Sequence, residues 1–124
     1  MPKNKILIID DEPEIIDMLT VVLKARNYLV ISSLDGQHGI ERVKKERPDL
    51  ILLDILMPGT DGYSVCTKLK SDKETKNTPI IILSGMDERE AIIKCHNLGA
   101  DDYIVKPFNL TTLLNKIRKF TNGK

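Results

Sequence analysis

Short apolar runs alternate with longer stretches in which apolar residues recur every three or four positions. The first run is Ile6, Leu7, Ile8 and Ile9. Behind it, Ile15, Ile16, Leu19, Val22 and Leu23 form the stripe of a helix packed on one face. Pro13 suits the first turn of that helix, where its missing N–H would have had no partner. A second run covers residues 28–31. A helix is then predicted over about 35–46, stopped by Arg47 and Pro48, because the residue before a proline disfavours the helical region. The third run, Leu50, Ile51, Leu52 and Leu53, is continuous rather than alternating, as in a strand buried on both faces. A Pro- and Gly-containing loop over 57–62 leads to a helix around 63–69, and the polar stretch 71–78 reads as a second loop. Pro79 opens the fourth run, Ile80, Ile81, Ile82 and Leu83. Asp87 is the candidate cap of a helix to about Asn97, with Leu98 and Gly99 as its stop. Tyr103, Ile104 and Val105 make the fifth run. Leu110, Leu113, Leu114, Ile117 and Phe120 line one face of a last helix beginning near Asn109.

Five strands and five helices in strict alternation predict an α/β fold, a doubly wound parallel sheet with helices on both faces. The 20–25-residue spacing is that of βα units, not of a solenoid repeat. At 124 residues the chain is one domain by length and can bury a core without disulfide or structural metal. With two Phe, three Tyr and no Trp, that core has to be aliphatic. No linker or low-complexity tract divides the chain, and 121–124 read as an end.

Nineteen basic against eighteen acidic residues give a net charge of +1, without the basic excess usual in nucleic-acid binders. The basic residues Lys44, Lys45, Arg47, Lys68, Lys70, Lys73 and Lys76 read as a solvated surface. No early apolar run is long enough for a signal-peptide core or a membrane span. Cys66 and Cys95, in no CxxC pattern, read as reduced structural residues, and the expected compartment is the cytoplasm. His38 and His96 have no partner at metal-ligand spacing.

In an open α/β sheet, ligands bind beyond the carboxyl ends of the strands. The residues at those ends are Asp10, Asp11 and Glu12 after the first strand, Asp54 after the third, Ser84 and Gly85 after the fourth, and Lys106 and Pro107 after the fifth. Carboxylates converging there would repel by roughly 4 kcal/mol per pair at about 4 Å and an effective dielectric near 20. Such a cluster needs a cation or raised pKa values, and an open oxygen-only site suits Mg²⁺. Lys106 adds a fixed positive charge, Ser84 a hydroxyl donor, and Gly85 room beside it. Phosphoryl transfer needs mainly positioning and charge neutralisation, and a carboxylate can be the nucleophile that becomes an acyl phosphate.

Asp10-Asp11, Asp54, Met57-Pro58-Gly59, Asp61-Gly62, Ser84-Gly85, Gly99-Ala100-Asp101-Asp102-Tyr103 and Lys106-Pro107-Phe108 together resemble the CheY-like response regulator receiver domain of two-component signal transduction. The resemblance runs over about 5–120. It implies the flavodoxin-like strand order 2-1-3-4-5, with Asp54 as phospho-acceptor. Asp11 is implied as a direct Mg²⁺ ligand, Asp10 as acting nearby or through water, and the Leu56 carbonyl as the third protein ligand. Ser84 resembles the hydroxyl that moves onto the phosphoryl group, Tyr103 the aromatic that swings inward with it, and Lys106 the lysine that pairs with a phosphoryl oxygen. The Lys106–Pro107 bond is expected to be cis. The implied partners are a sensor histidine kinase or histidine phosphotransfer protein as donor and a downstream effector, with neither nucleic acid nor membrane bound directly. The implied chemistry is confined to the chain's own phosphorylation and dephosphorylation.

Three other readings fit less well. A flavin-binding protein of similar topology would need hydroxyls and glycines after the first strand, where this chain has Asp10-Asp11-Glu12-Pro13. A phosphatase with a nucleophilic aspartate typically has a second Asp two residues on, where Leu56 stands. A DNA-binding regulator would need a further domain after the fifth helix, and the alternative to a free-standing switch is a receiver fragment of a larger DNA-binding or enzymatic regulator. The fourth helix, fifth strand and fifth helix are the implied output face, with a phosphorylation-dependent homodimer as one outcome. Thr112 and Lys116 stand where winged-helix regulators commonly carry Glu and Arg, which departs from their particular dimer.

Overall fold

Every continuous apolar run becomes a strand, and its residues divide between two cores. In the computed structural model, which describes residues 4–121, the strands are β1 (Lys5–Ile9), β2 (Leu29–Ser33), β3 (Leu50–Leu53), β4 (Ile80–Ser84) and β5 (Asp102–Val105). All neighbours pair in parallel, in the order β2-β1-β3-β4-β5. Because side chains alternate across a strand, Ile6, Ile8, Leu50, Leu52, Ile81 and Leu83 face one side of the sheet. There they meet Leu19 and Leu23 of α1 (Pro13–Lys24) and Leu113 and Ile117 of α5 (Leu110–Thr121). Leu7, Ile9, Ile51, Leu53, Ile80 and Ile82 face the other side, against α2 (Gly36–Glu46), α3 (Gly62–Ser71) and α4 (Arg89–Asn97). Strand order reverses direction between β1 and β3, the place at which open α/β sheets hold their ligands, beyond the carboxyl ends of the strands.

Pro13 opens α1 as expected, and Asp35 caps α2 by accepting the His38 N–H. Four expectations shift. β2 starts at Leu29 and runs on through Ser32 and Ser33, because backbone pairing with β1 continues to Ile9↔Ser33 whatever the side chains. The residue that caps α4 is Glu88, not Asp87, and its side chain makes no cap bond. At and within the loop expected over 57–62, Leu56–Met57 and Thr60–Asp61 form a two-residue antiparallel ladder. The helix expected around 63–69 is longer, covering Gly62–Ser71. The Lys106–Pro107 bond is cis. Of the tail read as an end, residues 122–124 lie outside the described residues.

Candidate functional site at the carboxyl ends of the strands

Asp10 and Asp54 follow the paired residues Ile9 and Leu53, so they leave neighbouring strands at the same level. Their backbones are tied down: the Asp54 N–H donates to the Ile9 carbonyl (2.9 Å) and the Asp10 N–H to the Ser33 carbonyl (3.1 Å). Both side chains are buried, Asp10 1% and Asp54 4% exposed. Each has one oxygen held by the amide two residues on. Asp10 Oδ1 accepts from the Glu12 N–H (2.9 Å) and Asp54 Oδ1 from the Leu56 N–H (3.0 Å). The remaining oxygens converge on the Lys106 ammonium, 2.9 Å from Asp10 Oδ2 and 3.2 Å from Asp54 Oδ2. Glu12 Oε1 is a third partner of the same ammonium at 3.1 Å. The Lys106 amide is fixed by the Ser84 carbonyl at 2.8 Å.

Asp10, Asp11, Glu12 and Asp54 each bring a carboxylate oxygen within 4.8 Å of the others. With Lys106 as their counter-charge, three of the four negative charges remain formally uncompensated. Burial pushes the Asp54 carboxyl above its ordinary pKa and Asp10 adds to this, while Lys106 and the Leu56 N–H oppose it. Burial works against the Lys106 charge too, but its hydrogen bonds and charge pairing with Asp10, and then Asp54 and Glu12, outweigh it and the ammonium is held more tightly than usual. An oxygen-only donor set with excess negative charge and one half-exposed side fits a hard divalent cation.

Ser84 is the last residue of β4 and fully buried; its hydroxyl accepts the Met86 N–H at 3.2 Å. Tyr103 is partly buried on β5 and donates its hydroxyl to the Met86 carbonyl at 2.6 Å. Burial raises the Tyr103 pKa, with a hydrogen bond to Ser84 opposing. Ser84 and Tyr103 thus meet through the Met86 segment, next to the acidic cluster rather than in it. Tyr63, at the start of α3, donates its hydroxyl to the Met86 sulfur (3.8 Å), and the Lys94 ammonium lies 4.1 Å from its ring centre. Leu56 is 54% exposed and, with Ile55, Met57, Pro58, Tyr63 and Met86, lines an apolar cleft of about 460 Å³.

Asp10, Asp11, Asp54, Ser84 and Lys106 lie at this one edge of the sheet, and Tyr103, near the start of β5, reaches it through the Met86 carbonyl. Missed were the reach of Glu12 to Lys106 and the meeting of two tyrosines on Met86. Glu12 was visible as the third acid of an uninterrupted run, but nothing local told that its side chain would turn back toward β5. Cys66 and Cys95 are free and buried, with thiols pushed up to about 11 by burial. On α5, Thr112 is exposed and Lys116 is paired with both oxygens of Asp102 at 2.9 Å.

Residues 6–118 match the family described as response regulator receiver domain. The DNA-binding dual master transcriptional regulator RpaA of Synechocystis is 37% identical over 114 residues, 92% of this chain and 47% of the relative. The probable transcriptional regulator ycf27 of Porphyridium aerugineum is 43% identical over 118 residues, 95% and 48% of the two chains. The crystal structure of the BeF3-activated N-terminal receiver domain of Klebsiella pneumoniae RstA matches with a TM-score of 0.88 and 32% identity, over 94% of this chain and 97% of that one. The chain spans about half the length of the two curated relatives.

Proposed function

The chain belongs to the response regulator receiver domain family, and on that premise we propose that it is a phosphorelay switch, phosphorylated on Asp54 in a Mg²⁺-dependent reaction. The observation that carries the reading is the Lys106 ammonium shared between the buried Asp10 and Asp54 inside a four-carboxylate cluster. Asp10, Asp11, Asp54 and the Leu56 carbonyl would hold the ion; the Leu56 peptide already lies against Asp54 through its N–H. When bound, Mg²⁺ neutralises carboxylate charge and stabilises charge on the phosphoryl oxygens.

The residues of the chain do the rest. An Asp54 carboxylate oxygen attacks phosphorus, an O–P bond forms, and the N–P bond to the donor imidazole breaks, its electron pair returning to the nitrogen. Lys106 pairs with a phosphoryl oxygen, and the Ser84 hydroxyl donates to another. The Ser84 O–H is free to turn that way while its oxygen accepts the Met86 N–H, and Tyr103 follows it inward. The change then reaches a downstream effector through α4, β5 and α5. The donor is a sensor histidine kinase or a histidine phosphotransfer protein, and the compartment is the cytoplasm. Among the described residues no helix is long and apolar enough to cross a membrane. The chain acts on itself alone, without turnover of a separate substrate.

A second reading has its own support: both curated relatives are about twice as long, and one is DNA-binding by name. In it, this receiver serves a longer regulator, and the output face meets an attached domain or a second copy.

Incubation with acetyl phosphate and Mg²⁺, followed by intact-mass measurement, tests the first reading. The wild type gains one phosphoryl group, only with the metal, and Asp54→Asn gains none. Full-yield gain by Asp54→Asn would refute it.

A further inference from the structure

Glu12 has no part in the chemistry above, yet its placement is unusual. It is the N-cap residue of α1, where an acid can accept a helix N–H, but it makes no side-chain cap bond. Its side chain, 55% exposed, reaches Lys106 instead. An ammonium has three donors and no acceptor. For Lys106 three carboxylates are within reach: Asp10 at 2.9 Å, Glu12 at 3.1 Å and Asp54 at 3.2 Å. A new acceptor can be taken on only if one of these is released. Asp10 and Asp54 are buried, so until the O–P bond forms, removing the ammonium from either would strand a buried carboxylate. Glu12 alone can swing into water, where a half-exposed ion pair is worth little.

We propose that Glu12 is a positioning residue, a releasable latch that holds the Lys106 ammonium at rest and yields it to the phosphoryl group on Asp54. The proposal rests on the reading of Asp54 as the acceptor. It gives Glu12 two separable properties. Its charge adds to the attraction of the cluster for a cation. Its length lets it reach Lys106 and compete with the incoming phosphoryl oxygens.

Two substitutions separate them. Glu12→Gln keeps the length and removes the charge; Glu12→Asp keeps the charge and shortens the reach. Mg²⁺ affinity is measured by titration without phosphodonor, and the rate of phosphoryl gain with acetyl phosphate at saturating Mg²⁺. Both variants are expected to gain the phosphoryl group roughly two- to five-fold faster, the size of one half-exposed ion pair. Glu12→Gln should bind Mg²⁺ several-fold more weakly, and Glu12→Asp about as well as the wild type. General damage to the site would slow the reaction in both, so a faster rate with weaker Mg²⁺ binding is a signature that a merely structural role does not give. A wild type that gains the phosphoryl group while neither variant is faster overturns the latch alone. Loss of both Mg²⁺ binding and phosphoryl gain in Glu12→Gln also overturns it and makes Glu12 a metal ligand. A wild type that gains nothing overturns the reading of Asp54 and the latch together.

Discussion

Asp54 holds its charge against its surroundings. Its pKa in the fold lies above the ordinary 3.8, chiefly through burial. A carboxyl raised in this way favours the folded state when protonated. Its contribution to stability is therefore full below the unfolded value and is lost as pH rises through the folded one. Asp54→Asn is accordingly expected to melt above the wild type near neutral pH, with the gap closing on acidification through the carboxylate range. Paired thermal melts across pH check this, and a variant that melts lower at neutral pH would contradict it. Leu56 and Met86 bear on the lifetime of the proposed phosphorylated state. Both line the apolar cleft beside Asp54, and neither side chain can orient a water as a strong hydrogen-bonding partner. A long-lived phospho-Asp54 is expected, and the Leu56→Asn, Met86→Glu double variant should lose its phosphoryl group faster at equal Mg²⁺. Decay no faster than wild type would mean that backbone geometry and metal set the rate.

At the scale of elements, the β3–α3 connection shows how tightly the site is built. α3 begins at Gly62 behind the Asp61 cap, and a methyl group at position 62 would run into the Ile55 backbone, one residue after Asp54. Gly62→Ala is expected to cost about 1–3 kcal/mol in denaturant unfolding, as overpacking against an unyielding backbone does. Gly85→Ala, whose new methyl would meet nothing within 4 Å, should stay within about 0.5 kcal/mol of wild type. The elements themselves were legible because the strand runs are continuous and the helices carry clean stripes. Their ends were less so. β2 extends through Ser32 and Ser33 by backbone pairing alone, and the cap of α4 is Glu88 rather than Asp87, with no side-chain bond to mark that end. The ladder of Leu56–Met57 with Thr60–Asp61 has too few residues to show a period.

For the whole molecule, strand order brings Asp10, Asp54 and Lys106 together from β1, β3 and β5, residues up to 96 positions apart. Which residues meet was legible from their places at the strand ends. How they meet was not, because the shared ammonium and the turn-back of Glu12 depend on side-chain geometry across the sheet. The uncompensated charge of the cluster predicts that Mg²⁺ raises the melting temperature, since a ligand of the folded state stabilises by mass action. Asp11→Ala should lose most of that response, and an undiminished response would remove Asp11 from the metal site. Lys116 of α5 is paired within the chain to both oxygens of Asp102 on β5. The acceptor itself is most directly read by reducing the phosphorylated protein with borohydride, which converts an aspartyl phosphate to homoserine, and mapping the peptides. Homoserine at position 54, appearing only after treatment with phosphodonor and Mg²⁺, is the predicted result; homoserine at another aspartate, or an unreduced Asp54 in protein that carries the phosphoryl group, would contradict it.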